Sequence, residues 1–165
     1  MVAVPLGVSD MRKTSLYPTA VSEAYAFVQG QGYVLRDTLN NGIGYWLRFD
    51  TTGTVSITGT PIICDTIDVE PGWSLVGGIS GAVDTASVVQ VPPRILISPY
   101  YSYNGGYTPT DSLRPGVAYW VKSNETGKLI LAIGVNMTNE PSGTLGKRSS
   151  GRGETAKSRR GESNR

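Results

Sequence analysis

The sequence predicts an all-β fold: two tandem repeats of short antiparallel strands, forming a sandwich or small barrel, followed by a disordered C-terminal tail. Three observations carry this expectation. Short apolar runs alternate with period two and are punctuated by 21 Gly and 10 Pro, the pattern of strands joined by tight turns. No amphipathic helix longer than about two turns is visible. The chain also matches itself at an offset of 74 residues without a gap. Residues 32–53 and 106–127 share 9 of 22 positions, where ordinary residue usage gives about one or two.

The shared positions include Gly32/Gly106, Tyr33/Tyr107, Asp37/Asp111, Leu39/Leu113, Gly42/Gly116, Tyr45/Tyr119, Trp46/Trp120 and Gly53/Gly127. Upstream the likeness weakens but keeps its offset in Val2/Val76, Gly7/Gly81, Asp10/Asp84 and Pro18/Pro92. With a two-residue gap, Tyr25-Ala-Phe27 resembles Tyr101-Ser-Tyr103. The expected organisation is a first repeat over 1–61, a connector over 62–71, a second repeat over 72–136 and a tail over 137–165. Met1 falls opposite Leu75, so the first repeat has no counterpart of Gly72-Trp73-Ser74. The expectation is that the first repeat is N-terminally truncated and the chain a fragment of a longer parent.

Each repeated segment reads as a β-hairpin. In the first, Ile43, Tyr45, Leu47 and Phe49 share one face, Asp50-Thr-Thr-Gly53 turns, and Val55 and Ile57 return. In the second, Val117, Tyr119 and Val121 lead to a turn at Asn124–Gly127, then Leu129 and Leu131. Asn41-Gly42 and Pro115-Gly116 make tight turns before them. Ser74–Ile79 and Arg94–Ser98 are further strand candidates. Asp10 and Asp84 are expected to cap short helical turns.

Composition excludes most catalytic chemistry. There is no His, which removes the commonest general base and metal ligand. The single Cys64 permits neither an internal disulfide nor a Cys-based zinc site. It lies in the apolar run Pro61-Ile-Ile-Cys64 and is expected to be buried and inert. Asp65, Asp68 and Glu70 match no calcium loop and read as solvated connector charges. Asp37 and Asp111 occupy equivalent rather than facing positions, unlike a glycosidase pair. No catalytic residue, metal site or cofactor is expected, and no apolar window reaches the length of a membrane span. Residues 137–165 carry 7 Lys+Arg against 3 Asp+Glu. Lys157, Arg159 and Arg160 suit a nucleic-acid arm less well than a solvated tail or linker, so no nucleic-acid partner is expected.

The aromatic residues are the candidates for binding. Trp46 beside Arg48 and Trp120 beside Lys122 share strand faces. A core-rim packing role, with the cationic stem laid over the ring, competes with stacking on a sugar face. Tyr101, Tyr103 and Tyr107 lie in a Tyr-rich run around a Gly turn. These five residues, Trp46, Tyr101, Tyr103, Tyr107 and Trp120, form the expected ligand set, with a glycan as the candidate ligand.

Gly72-Trp-Ser-Leu-Val-Gly77, the Tyr-rich run ending Gly106-Tyr107, and Leu113-Arg-Pro-Gly-Val-Ala-Tyr-Trp-Val-Lys122 together resemble a known module type. It is the GWNLIG/GYWVK-type β module of large secreted or surface proteins from Bacteroidetes- and Ignavibacteria-type bacteria, which often carry type IX secretion sorting domains. The resemblance covers about residues 1–135. It implies an extracellular or cell-surface, non-catalytic accessory module whose partners are other domains of its parent, and it implies no catalytic residues.

Overall fold

A computed structural model describes residues 1–134. The expected disorder of 137–165 lies outside the described residues. Strands dominate, and the only helical segments among the described residues are Lys13–Leu16 and a 3-10 turn at Thr85–Ser87. Asp84 caps the latter by accepting the Ala86 N–H at 2.8 Å. The expected cap at Asp10 is not made: the N-cap of the former is Arg12, with no side-chain cap, and Asp10 instead accepts from Arg12 N, the Arg12 guanidinium and the Ser15 hydroxyl.

Two four-stranded sheets have the same order. The first runs Val2–Ala3, Gly44–Trp46, Ala24–Val28, Gly32–Arg36, and the second Gly72–Gly77, Ala118–Ser123, Tyr100–Tyr103, Tyr107–Thr110. Their registers agree: Tyr25 pairs with Trp46 as Tyr101 pairs with Trp120, and Phe27 with Tyr33 as Tyr103 with Tyr107. The third strands are therefore related by an offset of 76, and the strands they pair with by 74, which is where the two-residue gap of the Tyr25/Tyr101 match arises. The turn before each central strand is closed in the same way. Gly42 and Gly116 hold φ of 73° and 75°, which only Gly adopts freely. The buried Tyr45 hydroxyl accepts the Asn40 N–H at 2.8 Å, and the Tyr119 hydroxyl accepts the Arg114 N–H at 2.7 Å.

The halves meet through equivalent residues. Ala3 N donates to Gly116 O at 3.0 Å, and Gly77 N donates to Gly42 O at 2.9 Å. Val2 bridges to Val117, and Ile43 to Val76. Each pair maps onto the other when 74 is added to one member and subtracted from its partner, as in a two-fold interface, where one patch meets itself. Between the sheets lies a cluster of Ala3, Leu75, Ala118 and Trp120, with Met1, Phe27, Trp46 and Tyr101 against it. Gly44 lets the sheets approach here: a Cβ on it would stand 2.5 Å from the Ala118 Cβ.

A third sheet, Val89–Val91, Gly127–Ala132, Cys64–Val69, covers the other face of the second sheet. Ile67, Val69, Leu129 and Leu131 meet Val76, Tyr100, Tyr119 and Val121 in the largest core. This half is a sandwich, and none of the sheets closes into a barrel. The first sheet packs its own outer face on Leu16, Tyr17 and Leu39, with Leu47, Phe49, Val55 and Ile57 against them.

Several expectations are corrected. Ala118–Ser123 and Gly127–Ala132 do not form a hairpin. They belong to different sheets and face each other across the core. Period-two alternation is identical for paired strands and for strands folded over one another, because both turn one side to the core. Val55 and Ile57 lie on no regular strand: residues 47–59 lack the two neighbours that hold Gly127–Ala132. Arg94–Ser98 is not a strand either, with Arg94 at φ 66°. The segment read as a connector holds the strand Cys64–Val69, which supplies Ile67 and Val69 to the core. Alternation from those two places Cys64 outward, so the thiol is exposed rather than buried.

Candidate functional site

Edge-to-face aromatic contacts cross the seam between the halves in two matched sets. Phe27 meets Trp120 at 4.9 Å and Tyr33 at 5.7 Å; Tyr103 meets Trp46 at 4.9 Å and Tyr107 at 5.2 Å. Phe27 and Tyr103 hold equivalent positions, as do Trp46 and Trp120. Each half therefore inserts one aromatic from its third strand against the Trp of the other half. Such pairs contribute about 0.5–1.5 kcal/mol beyond area burial, so the seam is a substantial source of stability.

Trp73 breaks this symmetry. It stands 6.1 Å from Tyr101 and 6.3 Å from Trp120, and with Phe27 and Tyr107 these rings line an open, almost wholly apolar cleft of about 440 Å³. That volume falls within the range of small-molecule sites. Trp73 is 39% and Tyr107 56% exposed, whereas Trp120 is only 8% exposed. Of the expected ligand set, Tyr101, Tyr107 and Trp120 reach the cleft, while Trp46 and Tyr103 pack together beside it. Phe27 and Trp73 are cleft residues that the expected set omits. Phe27 was signalled by the gapped match to Tyr103. Trp73 was signalled by its place two positions before Leu75 on one strand, which puts both on one face.

The cations do not lie over Trp46 and Trp120 as expected. Arg48 pairs with Asp50 at 2.9 Å, and Lys122 Nζ sits 5.9 Å from the Trp73 ring. Lys122 and Trp73 are opposite one another in the ladder, so the stem reaches across the strands rather than along its own. A cation near an indole face is attracted by the ring quadrupole, which helps to hold the Trp73 ring in place.

The indole nitrogens of Trp46 and Trp120 are buried without an acceptor in good hydrogen-bond geometry among the described residues. The Trp46 N–H does lie close enough to Tyr33 to oppose part of the rise in that phenol's pKa. The rise itself comes first from burial and then from Tyr107. The Tyr100 hydroxyl is likewise buried and unpaired on the other face of the sheet, and burial pushes its pKa far up.

The acidic residues have local partners. Asp68 pairs with Lys128 at 2.5 Å, Glu70 accepts from the Thr126 hydroxyl at 2.7 Å, and Asp65 accepts the Thr66 N–H at 2.8 Å. The backbone carbonyls of Asp37 and Asp111 accept the Lys13 and Thr85 N–H groups, both at 2.8 Å, an equivalent structural task in each half. No group of three or more metal-ligating side chains converges among the described residues. No helix among the described residues is long and apolar enough to cross a membrane. No protein-family model matches the chain, and no curated protein or solved structure matches it significantly.

Proposed function

We propose that this chain is a non-catalytic β module built by internal duplication, serving as a structural and interaction unit of a larger secreted or cell-surface bacterial protein. Its partners are the other domains of that protein. The observation that carries this reading is the seam. Equivalent Trp residues, each packed by an aromatic of the opposite half, join two like sheets into one unit, and the acidic residues serve ladders and turns. The GWNLIG/GYWVK-type resemblance supplies the extracellular setting.

A second reading is favoured by one observation, the cleft bearing exposed Trp73 and Tyr107: a carbohydrate-binding module that stacks a sugar ring on these residues. A glycan array on the parent, Trp73→Ala, Tyr107→Ala and Leu35→Ala separates the two. Leu35 is exposed on the first sheet, away from the cleft lining. Specific saccharide binding that Trp73→Ala and Tyr107→Ala lose and Leu35→Ala keeps establishes the lectin. A folded parent that binds no saccharide leaves the protein-interaction module.

A further inference from the structure

The two halves differ most where their outer layers should match. In the second half, Gly127–Ala132 is held on one edge by Cys64–Val69 and on the other by Val89–Val91, and Leu129 and Leu131 are fully buried. The equivalent residues of the first half are Gly53–Thr58, with Val55 and Ile57 in place of the two leucines. Among the described residues no strand pairs with 53–58, and Val55 and Ile57 are only half-buried. Beneath them opens a cavity of about 830 Å³, walled by Leu6, Tyr17, Phe49, Val55 and Ile57.

We propose that this cavity and the 53–58 edge form a strand-acceptor site, and that its ligand is an extended segment of another polypeptide carrying apolar side chains at alternate positions, on the pattern of Ile67 and Val69. The second half shows what the occupant looks like, because its register transfers position by position. Ile67 lies opposite Leu129 and Val69 opposite Gly127, so the incoming strand places an Ile-like residue opposite Val55 and a Val-like residue opposite Gly53, antiparallel. Main-chain hydrogen bonds supply affinity and the two apolar side chains supply register, as in other strand additions to an open edge.

The outward side is less demanding. Lys128, which pairs with Asp68, is replaced by Thr54, so an acid is not required there. Thr52 holds the place of Thr126, whose hydroxyl donates to Glu70; an acceptor just beyond the second apolar residue is therefore favoured. The tail is a poor occupant, since its only sizeable apolar side chains are Met137 and Leu145, too far apart for one short strand. The inference is independent of any saccharide bound at the aromatic cleft.

The test uses the full chain and a synthetic peptide spanning Ile63–Pro71 with Cys64→Ser. Amide hydrogen exchange is read across 53–58 with and without peptide. The Ile133 N–H donates to Ile63 O, so the amides of Gly127, Leu129 and Leu131 face Cys64–Val69, and saturating peptide is expected to slow exchange at the equivalent Gly53, Val55 and Ile57 more than tenfold. A peptide carrying Ile67→Asp and Val69→Asp is expected to have no effect, as is the parent peptide on a Val55→Lys, Ile57→Lys chain. No slowing at millimolar peptide overturns the proposal. So does slowing that survives Val55→Lys and Ile57→Lys, which would mean that the peptide exchanges with its own strand in the second half. Protection of 53–58 in free protein that vanishes on removing 137–165 would make the tail the occupant, and a dimer that the peptide fails to dissociate would make it a second copy; either result overturns the proposal.

Discussion

The approach of the two sheets at Gly44 sets a sharp test of the seam. A methyl group at position 44 would lie 2.5 Å from the Ala118 Cβ and 2.7 Å from the Leu75 Cγ, against an optimum near 3.5–4.0 Å between carbon atoms. Both neighbours are buried, so neither can swing away. Overpacking of this kind costs about 1–3 kcal/mol, while Gly→Ala restrains the unfolded chain and returns about 0.4–1 kcal/mol. Gly44→Ala is therefore expected to lose about 1–2 kcal/mol. Ala118→Gly alone removes a buried methyl and loosens a strand, at about 1–2 kcal/mol. The double variant carries the methyl from one side of the seam to the other. It relieves the 2.5 Å contact but not the one to Leu75, so the cycle should show a favourable coupling of about 1 kcal/mol rather than additivity. Guanidinium melts of the four proteins, with unchanged slopes, measure this. A Gly44→Ala protein within about 0.5 kcal/mol of the parent, or strictly additive losses, would refute the close packing of the halves.

Other consequences follow from burial and exposure. Trp120→Ala should cost about 3–5 kcal/mol in denaturant melts, and the less buried Trp46→Ala less, with both losing the aromatic contact across the seam. Stability should fall at alkaline pH. Burial raises the Tyr17 phenol to about 12 and pushes Tyr100 up as well, so the unfolded chain releases these protons first. The contribution is full below about pH 10 and is lost upward from there, through about pH 12 for Tyr17, at about 1.4 kcal/mol per pH unit for each group. Melting temperatures between pH 9 and pH 12 check it, with Tyr17→Phe and Tyr100→Phe expected to flatten the decline. Cys64, being exposed, should react fully with a thiol reagent in native buffer, at a rate little changed by denaturant.

Much of this architecture was legible as pattern. The 74-residue offset, the Gly42 and Gly116 turns, the opposite faces of Tyr119 and Trp120, and the capping by Asp84 depend on neighbours within a few residues. Local backbone geometry and alternation encode them directly. The candidate site was partly legible for the same reason. Tyr101, Tyr107 and Trp120 were expected as ligand residues because they cluster around one turn and one strand. Their meeting with Phe27 and Trp73 depends on how two sheets cross, which no local pattern specifies.

What the tertiary structure alone decided is partnership at a distance. Alternation tells which side of a strand is apolar but not which strand lies beside it or across from it, so Gly127–Ala132 read as the return of a hairpin although its ladder is made with Cys64–Val69. The same gap explains Cys64. The run Pro61-Ile-Ile-Cys64 is apolar enough to be buried, yet the face of its strand is chosen by Ile67 and Val69, whose core was not visible locally. It explains the Trp residues too. Both repeats carry the same Tyr-Trp pair, and the sequence alone determined that the two play one role. That the role is to receive an aromatic from the opposite half was settled only when the sheets met, because contact energy between rings depends on centroid distance and tilt, and chain order encodes neither.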